Sequence, residues 1–494
     1  MERSRRRDRD DLPDDVLADV LRRLPPRWVA VSRCVSKAWR RAIDECYLLR
    51  VDLLPFSLAG IFMHFEEHKF PEFFARPSSR KVNASLEFVP PTIYPADEIY
   101  DELEVDHHVF DHCNGLLLVN DYVVNPATRC WDPLPTSWCL ADPMGITRIF
   151  DRYLAFDPTV SPHYQVFKIP YLLPIPYKPG DPRYRSPRDD VNPLVEKSEW
   201  PPSAFIMNVF SSRSGRWEER SFAREGDAAG VVAELRRRKH RGSAYWRQAL
   251  YVHCQANFVM RISLSDDKYR VIKPPPMEDM DKKAHPYLGR SENGVYFASF
   301  MEDVFRVWIL NESQGHAKWM LKGKYDLKRV GAFDQRVHGP WVLEDINYQL
   351  VRSQLSEVNK KAIVEEKYEW NSDDDDGADD NRSQLPEVNG KAIFKDRREW
   401  DFHVYNGDLA EGRIHGCSVL RFHPFKEILF FSSFGEKEWM ATVHAYHLNS
   451  LRVECLGNMC PTRFDHFAAR LPELGVYAYF PYTPCWTGKF PRNK

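Results

Sequence analysis

A short helical unit followed by a long, mainly antiparallel all-β body, an α+β multidomain class, is the architecture this chain predicts. Three observations carry it. The first fifty residues repeat apolar side chains at helical spacing between prolines. From about residue 105, apolar runs of strand length alternate with turns rich in Asn, Asp, Ser, Gly and Pro. The 36 Pro and 23 Gly in 494 residues favour many turns and few long helices.

The length suits roughly three average domains, or one large β domain built of repeats behind a small leader. Hydrophobic residues are 43% of the chain and aromatics 13%, ample for a sizeable core. Lys and Arg total 69 against 71 Asp and Glu, so nucleic acid and anionic membrane are not expected partners, and selection must come from local surface. Ten Cys are scattered without a CxxC pair, and no apolar stretch follows MERSRRRDRD. Reduced thiols and a soluble protein of the cytoplasm or nucleus are therefore expected. No apolar run approaches the length of a membrane helix.

In LPDDVLADVLRRLPP, residues 12–26, Pro13 suits the first helical position and Asp14 and Asp15 place negative charge at the positive end of the helix dipole. Val16, Leu17, Val20, Leu21 and Leu24 form one apolar face, and Pro25 and Pro26 end the helix. A second series, Val31, Cys34, Val35, Ala38, Trp39, Ala42 and Ile43, continues at helical spacing, with Ser36 placed to cap a break in it. Two or three short helices result. A unit of about 40 residues rarely buries its own apolar faces, so this one invites another chain.

These residues resemble an F-box. Leu12-Pro13, Val16-Leu17, Leu21, Leu24-Pro25 and the segment Arg33-Cys34-Val35-Ser36-Lys37-Ala38-Trp39-Arg40 stand in the motif's register, whereas Trp28 departs from the usual small or acidic residue after the helix break. The resemblance implies docking onto a Skp-type adaptor, which joins a cullin and a RING protein in an SCF ubiquitin ligase. Leu12, Pro13, Leu17, Leu21, Leu24, Pro25, Val35 and Trp39 match positions that supply adaptor contact or the small core, and are the expected adaptor-binding residues.

Downstream, five hairpin signatures recur: VVNPATRCW (123–131), FIMNVFSSRSGRW (205–217), VMRISLSDDKYRVI (259–272), FRVWILNESQGHAKWML (305–321) and VHAYHLNSLRVECL (443–456). The turns at Gly215, Asp266 and Glu312 fall about 50 residues apart, the spacing of propeller blades of four strands. Runs at 114–121, 246–254, 293–300 and 426–434 fill inner blade positions, and about six blades are expected. The region resembles the C-terminal associated domain of plant, especially grass, F-box proteins with a kelch-like or propeller-like layout. Asp111-His112-Cys113-Asn114-Gly115, Asn125-Pro126-Ala127-Thr128-Arg129 with Trp131, Phe210-Ser211-Ser212 with Gly215 and Trp217, and Phe422-His423-Pro424 carry that resemblance. It implies a target-binding domain without naming the target.

Two segments interrupt the strands. RSQLSEVNKKAI (352–363) recurs as RSQLPEVNGKAI (382–393), a tandem duplication whose first copy runs into the acidic NSDDDDGADDN. Its EF-hand register fails, because Ser372 and Ser383 stand where the first and last calcium ligands belong. The basic stretch Arg236 to Arg241 reads as a solvated patch, with a nuclear address as the alternative. His107, His108, Asp111, His112 and Cys113 are dense possible ligands, but strand alternation separates neighbours and no second pair sits at zinc spacing.

The expected organisation is a disordered charged leader at 1–10, the F-box at 11–50, a linker and packing segment at 51–104, the propeller-like body at 105–350 and 413–490, and the partly disordered, duplicated acidic insertion at 351–412. The expected function is substrate receptor of an SCF-type ligase, with no catalytic residue, cofactor or metal of its own. Two rivals belong to other classes. A propeller hydrolase with an incidental helical leader would need convergent carboxylates in one pocket, and a scaffold unlinked to ubiquitination would leave target turnover unchanged.

Overall fold

A computed structural model of the chain describes, apart from short gaps, residues 13–48, 57–77, 84–94, 103–136, 148–172, 197–232, 242–275, 285–327, 339–353, 417–434, 441–461 and 476–485. The chain divides into two compact units, one of residues 1–346 and 414–494 and the other of 347–413. Most of the second unit, including the acidic run, and the leader at 1–10 lie outside the described residues, as does the basic stretch at 236–241.

Two helices open the first unit, α1 (Asp14–Arg22) and α2 (Lys37–Glu45). Pro13 occupies the cap of α1 rather than its first helical position, and its carbonyl accepts the first helical hydrogen bond from Leu17 N at 2.9 Å. Ser36 caps α2 as its spacing predicts. Its backbone is extended, and its hydroxyl accepts a hydrogen bond from Trp39 N at 3.1 Å. Leu17, Ala18, Leu21, Val29, Ala42, Ile43 and Leu48 close a small core of their own, with Trp39 packed against it.

The rest of the described structure is mostly β-sheet. Strands Val109–Cys113, Leu116–Val119, Tyr122–Asn125 and Cys130–Pro133 form the first four-stranded antiparallel sheet. Strands Arg148–Ala155, Gln165–Leu172, Ala204–Ser211 and Arg216–Glu225 form a second such run, and Ser243–Trp246, Ala249–Cys254, Phe258–Ser263 and Lys268–Ile272 a third. A parallel pairing of Ala223, Arg224 and Glu225 with Lys268, Tyr269 and Arg270 fuses these two into one eight-stranded sheet. His285–Ser291, Gly294–Met301, Val304–Ser313 and His316–Asp326 make the fourth run, and Cys417–Phe422, Ile428–Phe434, Ala441–His447 and Arg452–Asn458 the fifth.

The sixth run takes two of its strands from the expected linker and packing segment at 51–104. Val476–Tyr482 pairs with Gly60–Phe65, which pairs with Glu72–Ala75, which pairs with Val342–Leu343. Both strands from the supposed linker are buried along their whole length. Apart from the buried His64 and Glu72, GIFMHF and EFFA are apolar on both faces, and they lack the alternation that marks a half-exposed strand. Their partner lies near the other end of the chain, so no local turn signals the pairing.

Four of the core clusters bridge sequential sheets. One joins the first, second and third runs, another the third and fourth through Tyr251, Leu288 and Trp319, another the fourth and fifth through Phe305 and Phe431, and another the fifth and sixth through Phe430 and Met63. The sixth returns to the first: Asn125 Nδ2 donates to Cys485 O at 2.9 Å, and Ala127 N donates to the Tyr482 hydroxyl at 2.9 Å. Asp111 ties three runs together, accepting from Leu154 N at 2.8 Å and from the Ser243 hydroxyl at 2.7 Å.

Candidate adaptor-docking face

The apolar series on α1 is too wide for one side of a helix to bury. At 100° per residue, Val16, Val20 and Leu24 fall on a stripe beside the one formed by Leu17, Ala18 and Leu21. The structure separates the two. Leu17 and Leu21 are 2% and 0% exposed inside the helical core, whereas Val16, Val20 and Leu24 are 43%, 46% and 36% exposed. Two further large apolar side chains of the same short segment stand in solvent, Trp28 at 53% and Val35 at 62%. Exposed apolar groups concentrated on so short a segment are characteristic of a surface completed by a partner. On the flank of the stripe, Arg22 and Asp19 pair at 2.7 Å, both well exposed and together worth about 0.5 kcal/mol or less.

Residues 10–51 match the F-box domain. The chain also aligns over 331 residues, at 24% identity, with an Arabidopsis thaliana protein named as an F-box protein. That alignment covers 65% of this chain and 66% of the relative, just under two thirds of its length. A solved prolyl endopeptidase structure aligns at 10% identity and a TM-score of 0.29 over 88% of this chain and 56% of that one, a likeness too low to carry any argument.

Within the F-box, the expected adaptor-binding residues divide by burial. Leu17 and Leu21 lie in the core and Trp39 packs half-buried against it, so these three shape the domain from within. Pro13, Leu24 and Val35 are exposed, while Leu12 and Pro25 lie outside the described residues. Val16, Val20 and Trp28 are the exposed apolar residues that motif matching left off the expected face. Val16 and Val20 were legible as one turn apart on α1. Trp28, conspicuous as a departure from the motif, had no periodic signal of its own.

The dense His and Cys group in the body resolves into strand packing. Asp111 and Cys113 point to one side of strand Val109–Cys113 and His112 to the other. His107 stacks on Phe70 with ring centres 4.5 Å apart and is hydrogen-bonded to Val89 O through Nε2. Burial drives the His112 imidazole down to about 3, aided by the Arg421 charge, and lifts the Cys113 thiol to about 12, so neither is a poised acid, base or nucleophile near neutral pH. Burial also raises the Asp111 carboxyl to about 6, against the hydrogen bonds that hold its charged form. Among the described residues, no group of three His, Cys, Asp or Glu side chains could hold a metal ion, and no helix is long and apolar enough to cross a membrane.

Proposed function

We propose that this chain is the substrate-recognition subunit of an SCF-type E3 ubiquitin ligase. Its F-box docks onto a Skp-type adaptor, and through it a cullin and a RING protein, while the β body binds the protein to be modified. The observation that carries the docking half is the exposed stripe of Val16, Val20 and Leu24, together with the exposed Trp28 and Val35, on a segment that matches the F-box domain.

The six four-stranded runs are read as blades of a propeller, the sixth closed by strands from both ends of the chain. The cores shared between sequential sheets and the return of the Tyr482 segment to the Asn125 turn support that reading. A closed ring has no long free sheet edges and presents its inter-strand turns on a rigid frame, where variable binding residues belong.

The chain supplies no chemistry of its own. It acts by proximity, holding a target near a ubiquitin-charged enzyme so that an encounter in solution becomes a local one at far higher effective concentration. Action in the cytoplasm, the nucleus or both fits this role.

The test is target turnover in cells. Proteins captured by the full-length chain with the proteasome blocked should shorten in half-life when the chain is supplied, and should not when residues 1–50 are deleted. Targets captured equally by both forms but stable in the presence of either would replace the ligase reading with that of a scaffold.

A further inference from the structure

Four turns of the β body meet around one cation. Asn114 sits in the turn after strand Val109–Cys113, Trp246 and Arg247 in the turn after Ser243–Trp246, Arg290 near the end of His285–Ser291, and Phe425 in the turn after Cys417–Phe422. Each turn joins the first and second strands of its own run, so one end of the body gathers them. Asn114 and Arg247 hold positive φ angles of 45° and 46°, unusual for residues with side chains.

The Arg290 guanidinium lies 5.2 Å from the centre of the Trp246 ring and 4.9 Å from that of Phe425. Arg247 lies over the same indole at 5.4 Å. Stacking of this kind fixes the plane of a guanidinium while leaving its N–H groups free to hydrogen-bond in that plane. Arg290 Nη1 donates to Asn114 Oδ1 at 3.0 Å, and Asn114 is itself anchored by donating to Phe156 O at 2.7 Å. Arg290 Nε is buried and has no acceptor. Among the described residues no carboxylate reaches Arg290 within ion-pair distance; Asp157 acts on it only through space, its Oδ1 being held by Thr159. Burying a guanidinium without a carboxylate in contact with it opposes folding, and the distant Asp157 offsets that only in part. A fold that nevertheless orders such a group, with donor capacity to spare, has placed it where an anion would complete it.

We infer that Arg290, flanked by Arg247 across the Trp246 ring, is the carboxylate-recognition point of the target-binding surface, and that the target presents an acidic peptide segment to it. This rests on the reading of the chain as a substrate receptor. A side-chain carboxylate of Asp or Glu fits the fork of a stacked guanidinium, and the rigid aromatic walls lower the ordering cost of the contact. Arg247, exposed on the turn, adds a second positive charge that favours a segment with more than one acid.

Peptide display on the purified full-length chain, held with its adaptor, tests this directly. A random peptide library panned on the wild type should yield sequences enriched in Asp and Glu by about threefold or more over the input, with the enrichment absent from Arg290→Met and reduced in Arg247→Gln. A recovered acidic peptide should bind at least about tenfold more tightly than its Asn and Gln counterpart. If Arg290→Met fails to fold by circular dichroism, Arg247→Gln, altered only at an exposed turn, and the paired neutral peptides still decide the matter. Selected sequences without acidic enrichment, or the same enrichment from both variants, would overturn the inference. Adaptor capture measured on the same preparations keeps the two readings apart, since it reports on the F-box and does not involve Arg290.

Discussion

Val20 and Leu21 are adjacent on α1 and opposite in environment: Leu21 is completely enclosed by the helical core, and Val20 stands nearly half in water. That one-residue step divides α1 into an inner side that holds the F-box together and an outer side that stands in water. Truncating Leu21 to Ala should create a cavity and cost about 2–4 kcal/mol. In so small a core this is enough to lower hydrogen-exchange protection over the α1 and α2 helices of the full-length chain markedly. Val20→Ala should leave the signal unchanged.

Ser36 offers a finer probe. Its hydroxyl satisfies Trp39 N at the start of α2, and replacing it by Ala should cost about 1 kcal/mol, visible as reduced hydrogen-exchange protection over residues 37–45. Ser36→Asp, which retains a capping acceptor, should restore the protection.

The closure of the β body can be tested at Tyr482 and Gly115. Tyr482→Phe removes the acceptor for the amide of Ala127, and should destabilise the body by about 1–2 kcal/mol. Gly115 has φ +89°, and a Cβ there would lie 2.5 Å from Cys485 Cβ and 2.6 Å from Thr483 O. Gly115→Ala should therefore be the more damaging change, lowering the thermal midpoint further than Tyr482→Phe. Equal and negligible shifts for both would mean that the C-terminal segment contributes little to the body.

Stability should fall on acidification. Burial holds His64 well below its ordinary value, His112 at about 3, and His423 and His444 at about 4. An unfolded chain takes up these protons near 6.5, so the stability present above that pH is lost as the pH falls through the window from 6.5 toward 4. Asp111, raised to about 6, acts in the opposite sense, because between about 4 and 6 the folded protein binds its proton more readily. Four histidines against one carboxyl predict a thermal midpoint that drops between pH 7 and pH 4.5. His444→Gln should shallow the drop, and a midpoint that rises over this range would contradict the assignment.

Much of this architecture was legible from local pattern. The five hairpins read from alternation and turn residues are the outer strand pairs of the first five runs, and the segments at 114–121, 246–254, 293–300 and 426–434 hold the second strands of the first, third, fourth and fifth. Local turn chemistry decides such pairings, so a single sequence contains them. The sixth run escaped because Gly60 pairs with Tyr482 across almost the whole chain, and because a strand buried on both faces has no period to read. The α1 segment was legible as a helix and as a motif, but not in its division into core and surface. The expected adaptor-binding residues included Leu17 and Leu21, which lie in the small core, and omitted Val16 and Val20, because one helix periodicity serves both an inner and an outer stripe.

The most direct measurement is the affinity of the full-length chain for a purified Skp-type adaptor, compared with that of the double variant Val16→Asp, Val20→Asp. Both positions are exposed, so the variant should melt at the same temperature as the wild type. Removing two apolar contacts and introducing charge into a dry interface should weaken adaptor binding by about 100-fold or more. Undiminished binding by a variant that folds normally would contradict the account, because the outer stripe of α1 would then not be the surface that the adaptor completes.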